Sequence, residues 1–89
     1  MHAVFTVVQI DPGKFDTAIQ MLEDELIPPV KQAPGFVKGT WFGNAESGHG
    51  LVIFQTKEQA QHVAQPINAN VADGIKVVSS DVYEIHAEA

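Results

Sequence analysis

Residues 36–54 read FVKGTWFGNAESGHGLVIF, and this stretch decides the fold. Two runs rich in β-branched and aromatic residues, 36–42 and 51–56, lie on either side of a polar, glycine-dense run over residues 43–50. This composition predicts two antiparallel strands joined by a loop of about eight residues.

The register of this hairpin sets which side chains share a face of the sheet. If the loop closes symmetrically, Trp41 lies opposite Val52 and Gly39 lies opposite Phe54. One face then carries Val37, Trp41, Val52 and Phe54, and the other carries Phe36, Lys38, Thr40, Phe42, Leu51, Ile53 and Gln55.

Residues N-terminal to the hairpin predict a strand followed by a helix. Residues 3–10 are apolar at both alternating sets of positions, as in a strand covered on both faces. Asp11 followed by Pro12 is typical of a helix N-cap with proline at the first helical position. An apolar stripe at steps of three and four follows, formed by Phe15, Ala18, Ile19, Leu22, Leu26 and Val30. Pro28 and Pro29 should kink or end this helix near Ile27, with a short second piece over residues 30–33.

Residues C-terminal to the hairpin repeat the pattern. Residues 57–65 have helical composition with an apolar stripe that includes Ala60 and Val63, and Pro66 should interrupt this helix. Residues 75–86 predict a last strand, whose polar middle at residues 79–81 suggests a bulge or an exposed stretch.

The order β-α-β-β-α-β is that of a ferredoxin-like α+β fold with a four-stranded antiparallel sheet, in a single domain of residues 1–89. The helices can cover only one face of such a sheet, yet every strand has apolar residues at both sets of positions. A second copy is the simplest cover for the other face. The sequence therefore predicts a homodimer in which two sheets pack into a dimeric α+β barrel.

The charges narrow the choice of partner. Five dispersed lysines, no arginine and eleven carboxylates give a formal net charge of −6, which argues against nucleic acid as a partner. The absence of cysteine removes thiol nucleophiles and thiolate metal sites. No apolar run is long enough for a membrane helix, and the N-terminus lacks the pattern of a signal peptide, so we expect a cytoplasmic protein without membrane contact.

Several motifs carry a family resemblance over nearly the whole chain. They are Glu25-Leu26-Ile27-Pro28-Pro29-Val30, Pro34-Gly35-Phe36, Gly39-Thr40-Trp41, Val52-Ile53-Phe54 followed by Ala60, and Val82-Tyr83-Glu84-Ile85. Together they resemble the antibiotic biosynthesis monooxygenase-like group of the dimeric α/β barrel superfamily. The resemblance implies an oxidoreductase that oxygenates aromatic or polyketide-like molecules without metal, flavin or another cofactor. Fold analogy alone does not choose an activity, and a non-catalytic small-molecule-binding or dimerisation module is the alternative.

The resemblance also suggests site residues. Oxygenases of this group place a tryptophan and a tyrosine around the cleft, and Trp41 and Tyr83 are the only residues of these types in this chain. We therefore expect Trp41 to stack on an aromatic ligand, Tyr83 to form a hydrogen bond with it, and Phe54 rather than Phe42 to form a wall. The alternatives are that Trp41 packs in the core and that Tyr83 is a subunit contact.

Three possible sites that involve histidine have less support than the Trp41 cleft. Haem-degrading relatives have an asparagine on the first strand and an axial histidine on the second helical region. This chain has no such asparagine, and His62 lies about 200° from Ala60 around the helix, which predicts that it points to water. His49 is expected in a solvated turn, and His2 with His86 makes at most an incomplete metal pair. A cavity of about 300 Å³ or more beside Trp41 is the minimum that the oxygenase interpretation requires.

Overall fold

The elements follow one another in the predicted order, with one short additional strand. The computed structural model describes residues 1–64, 70–72 and 74–89, and Pro66 lies outside this part of the chain. The elements are β1 (His2–Ile10), α1 (Phe15–Met21), a π-helical turn (Leu22–Leu26), α2 (Ile27–Lys31), β2 (Phe36–Gly43), β3 (Ser47–Phe54), α3 (Lys57–Val63), β4 (Asn70–Ala72) and β5 (Ile75–Glu84).

The strands form one antiparallel sheet in the order β2-β3-β1-β5-β4. The four long strands confirm the predicted ferredoxin-like α+β fold. The three-residue strand β4 extends the β5 edge, where Asn70 pairs with Lys76. The last strand has a bulge, but at Val78 and not within residues 79–81: the β1–β5 register shifts between Val7 and Val8, which pair with Ser79 and Val77.

The β2–β3 hairpin is tighter than its composition predicts. Its turn is centred on Asn44, whose Oδ1 accepts hydrogen bonds from the backbone N–H of Glu46 at 2.9 Å and of Ser47 at 3.0 Å. Because the strands continue to this turn, Trp41 lies opposite Gly50 and Gly39 opposite Val52. The symmetric pairing was therefore wrong by two positions, a shift that leaves Trp41 and Val52 on the same face.

A register shift between Phe36 and Lys38 exchanges the faces of two predicted neighbours. Phe36 packs edge-on against Phe54, with ring centroids 6.2 Å apart, and therefore belongs to the core face. Val37, predicted on that face, is instead exposed. A bulge reverses the alternation of side chains, which a simple period of two does not anticipate.

The first helical region starts and bends differently from the prediction. Helix α1 begins at Phe15 without a side-chain cap, and residues 11–14 form a turn in which the Asp11 carbonyl accepts a hydrogen bond from Lys14 N–H at 3.0 Å. The helix does not end near Ile27: it widens into the π-helical turn just before that residue and resumes as α2, which has prolines near its start. The second helical piece is therefore Ile27–Lys31 and not residues 30–33. A proline cannot donate to the preceding turn, and the wider turn accommodates this loss.

The core lies between one face of the sheet and the helices. Val4, Val52 and Phe54 pack with Ala60 of α3 in one cluster, and Ile10 and Ile75 pack with Ala18 of α1 in another. We call this the inner face and the opposite one the outer face. The helices of the described residues all pack on the inner face, and none of them is long and apolar enough to cross a membrane.

Candidate functional site

A cavity of about 570 Å³ lies between the inner face of the sheet and the helices. Its floor is formed by β1 and the β2–β3 hairpin, its roof by α1, the π-helical turn and α2, and one side by the end of α3. Most of its lining is apolar, including Val4, Val8, Ile10, Phe15, Ile19, Leu22, Leu26, Val30, Trp41, Val52 and Val63. Its volume lies within the range of small-molecule sites and exceeds the minimum set above.

Trp41 borders this cavity and is only partly buried. Its indole lies along the sheet between two glycines on the same face. A Cβ atom added to Gly39 would come within 2.5 Å of Cη2 of Trp41, and one added to Gly50 would come within 3.0 Å of its Nε1. Only glycine leaves room for a ring held this close to the strands. The two glycines therefore fix a flat aromatic surface in the cavity wall.

Five polar residues of the described part of the chain line the cavity: Thr6, Ser47 and His49 on the sheet side, Glu25 of the π-helical turn and His62 of α3. Thr6 lies on the floor, and its Oγ1 shares a hydrogen bond of 2.9 Å with Oγ of Ser80. Glu25 of the π-helical turn and His62 of α3 are both exposed, so they mark the mouth of the cavity rather than its interior. The cavity thus has ionisable, solvent-exposed side chains at its mouth and a largely apolar interior.

The position of His62 corrects the helical-wheel argument. The side chain is exposed, as its angle from Ala60 predicts, but it borders the cavity instead of facing bulk water alone. The wheel argument assumes that every apolar stripe marks the full width of the buried face. Helix α3 is only seven residues long and lies beside an open cavity, so a residue off its stripe still reaches the site.

The two phenylalanines proposed as wall residues lie in different places. Phe54 is fully buried in the core cluster with Val4 and does not line the cavity. Phe42 and His49 border the hairpin end of the cavity, beside Gly43 and Gly48, although their rings stack on each other on the outer face of the sheet. The symmetric register predicted from the sequence had assigned the wall position to Phe54 instead of Phe42.

Tyr83 is not brought together with Trp41. It pairs with Ala3 on the outer face, is 53% exposed, and does not line the cavity. Within one protomer, its hydroxyl therefore lies on the opposite side of the sheet from a ligand that contacts Trp41.

His49 is also on the outer face, and its predicted place in a solvated turn was wrong. The imidazole stacks on Phe42, with centroids 5.2 Å apart and planes 6° from parallel, and on Phe5 at 5.9 Å. Its Nδ1 is buried without a hydrogen-bond partner among the described residues. Pairing with β1 and β2 extends β3 over Gly48 and Gly50, although glycine has low strand propensity.

The remaining histidines form no site. His2 pairs with Glu84 across β1 and β5, whereas His86 follows the end of β5. Within residues 1–64, 70–72 and 74–89, no three potential metal-ligating side chains lie together.

Sequence reasoning missed Thr6, Glu25 and His62 as lining residues. Thr6 had a detectable signal, because it is a polar residue at a position that alternates with Val4 and Val8 on the inner face. The sequence has no comparable signal for Glu25, because it belongs to the acidic run of residues 23–25 and the direction of these side chains depends on the π-helical turn.

A scan of protein-family models gave no match to the chain, and a search of curated protein sequences gave no significant match.

Proposed function

We propose that this protein forms a homodimer in which each protomer binds a small hydrophobic, aromatic molecule in the Trp41 cavity and oxygenates it without a metal or flavin. The observation that carries the proposal is the partly buried indole beside a largely apolar cavity of about 570 Å³. An indole face stacks well on flat aromatic rings, and an apolar cavity of this size removes them from water.

The proposed reaction requires few functional groups from the protein. A phenol or anthrone-type substrate loses a proton, and the resulting phenolate or carbanion supplies the electrons that reduce O₂. One oxygen atom ends on the substrate carbon and the other leaves as water, so that anthrone and O₂ give anthraquinone and water. The protein needs only to orient the substrate, exclude water and accept a proton.

A homodimer is proposed because of the outer face. Phe42, Leu51 and Tyr83 are large and exposed there, with Phe42 51% and Tyr83 53% accessible. The stack of Phe5, His49 and Phe42 continues this surface across three strands. A contiguous apolar patch of this kind is typical of a protein–protein interface, and tyrosine and phenylalanine are enriched in such interfaces. We therefore assign Tyr83 to the subunit contact.

The second candidate function is a non-catalytic binding module. The position of Tyr83 favours it, because the tyrosine expected to handle a proton lies outside the cavity. Haem binding is less well supported. His62 and Trp41 border the same cavity, but no lysine is among the described residues that line it and the chain has no arginine for the propionates.

Oxygen uptake tests the catalytic part of the proposal. Wild-type protein is incubated aerobically with a panel of hydroquinones and anthrone-like phenols, beside the variants Trp41→Phe and Tyr83→Phe. We expect at least one compound to be oxidised faster than in buffer, with the excess rate lowered in Trp41→Phe and unchanged in Tyr83→Phe. Rates equal to the buffer background for every compound would leave only the binding function.

A further inference from the structure

The mouth of the cavity holds an imidazole and a carboxylate that the fold brings together from distant parts of the sequence. His62 belongs to α3 and Glu25 to the π-helical turn, yet both border the same cavity. Both side chains are exposed, so neither is needed to fill the core. Among the described residues, these are the ionisable side chains that reach the cavity from the helices, whereas a third ionisable lining residue, His49, belongs to β3 of the sheet.

The interior restricts the charge of a ligand. No lysine lines the described part of the cavity, the chain has no arginine, and the formal net charge is −6. An anion that enters would lose its hydration without gaining a cationic partner, which is costly in an apolar site. A ligand should therefore enter uncharged and lose a proton only where a base can receive it.

We propose that His62 is the proton acceptor for a hydroxyaromatic ligand whose rings lie against Trp41. A compact cavity of about 570 Å³ is about 10 Å across, so a molecule of a few fused rings can span from the indole to the mouth. The phenolic O–H bond breaks, an N–H bond forms on the imidazole, and the phenolate keeps the electron pair. This inference rests on the proposed ligand class and supplies the ionised substrate that oxygenation needs.

The side-chain chemistry suits this role. Imidazole is the side chain whose ordinary acidity lies closest to neutrality, so it accepts a proton without being permanently charged.

A chromogenic phenol tests the assignment without requiring turnover. The acidity of p-nitrophenol is close to that of imidazolium, and its phenolate has a separate visible absorption band. We expect this band to rise when wild-type protein is added at neutral pH. With His62→Gln the band should fall, because an apolar cavity without a base takes up the neutral form. Glu25→Gln, which removes the other ionisable side chain at the mouth, should leave the rise as in the wild type.

Matched variants show whether the phenolate response comes from the cavity or from other exposed groups. His86→Gln removes an exposed histidine that does not line the cavity, and Glu23→Gln removes an exposed carboxylate of the same π-helical turn; both should behave as wild type. Identical phenolate spectra for wild type and His62→Gln would overturn the assignment.

A ligand without an acidic proton tests binding in the cavity separately from proton transfer to His62. 1,4-Naphthoquinone has no proton to lose, and its binding is followed by quenching of Trp41 fluorescence. Saturable quenching in both wild type and His62→Gln, combined with loss of the phenolate rise in the variant alone, is the expected result. Saturable quenching with no difference in the phenolate response contradicts only the role of His62. Absence of saturable quenching in the wild type contradicts the proposed ligand site and this inference together.

Discussion

Trp41 depends on its two glycine neighbours for its orientation. Gly39 precedes it on β2 and Gly50 faces it across the hairpin, and a side chain at either position would meet the indole. The ring can lie this close to the strands because neither position carries a side chain. This makes its position sensitive to a single added methyl group.

Gly39→Ala should move the indole away from the sheet. The added Cβ would lie 2.5 Å from Cη2 and 2.8 Å from Cζ3 of Trp41, and the rigid ring can relieve this overlap only by moving as a unit. We expect the emission of Trp41 to shift to longer wavelength, the affinity for a flat ligand to fall, and stability to drop by about 1–3 kcal/mol. Fluorescence and urea unfolding measure these changes.

Gly48→Ala is the matched control. Its Cβ would lie 2.9 Å from Cγ2 of Val8, a comparable overlap on the same face that does not involve Trp41. Stability should fall here too, but the emission of Trp41 should stay as in the wild type. If both variants leave the emission unchanged, the indole is not held by the glycines.

At the scale of elements, α3 is a short helix with a well-formed start. Thr56 Oγ1 accepts a hydrogen bond from Gln59 N–H at 3.2 Å, and Gln59 Oε1 accepts one from Thr56 N–H at 3.1 Å, which is a capping box. A helix of seven residues has little stability of its own. The cap and the burial of Ala60 therefore position the end of α3, which carries His62 and Val63 to the cavity.

Thr56→Ala should lower the free energy of unfolding by about 1 kcal/mol, the usual effect of losing an N-cap side chain. The control is Thr17→Ala, an exposed position within α1 where alanine is a better helix former. Urea denaturation followed by circular dichroism compares the two. Equal stability of both variants would mean that the capping box contributes nothing.

The sequence predicted elements better than it predicted their exact pairing. Apolar alternation and proline or glycine punctuation were enough to identify β1, the hairpin and the helices. The hairpin register was not predictable from composition, because Gly48 and Gly50 have the composition of a loop and pair as a strand only through neighbours on both sides. The exposure of Val37 similarly depends on a bulge that a period-two pattern does not reveal.

The candidate site was predictable only in part. Trp41 was identified from residue type and resemblance, and it does border the cavity. His62 and Glu25 were not identified, since their placement depends on how far α3 and the π-helical turn stand from the sheet. Such distances are set by tertiary packing, which local spacing does not encode.

At the scale of the whole molecule, the described helices cover one face of the sheet, and the other face carries exposed apolar side chains among polar ones. Leu51 lies near the middle of the outer face, where it pairs with Phe5 on one side and Thr40 on the other. A stable dimer commonly buries about 1,200–2,000 Å² in total, and a charge placed at the centre of such an interface is strongly unfavourable.

Leu51→Lys should therefore convert a dimer into a monomer. Sedimentation velocity at micromolar concentration should give the mass of two chains for the wild type and one chain for the variant. Gln61→Lys adds the same charge at an exposed position of α3 and should remain dimeric. A monomeric wild type with a well-folded circular dichroism spectrum would refute the homodimer while leaving the cavity of each chain in place.

The central claim is that the cavity beside Trp41 receives a flat aromatic ligand. Trp41 is the only tryptophan in the sequence, so its fluorescence reports on this wall alone. Titration of wild-type protein with 1,4-naphthoquinone should quench the emission along a saturating curve with one site per chain, and added 1-naphthol should compete. Quenching that rises linearly without saturation, as for a free indole in buffer, would contradict the claim.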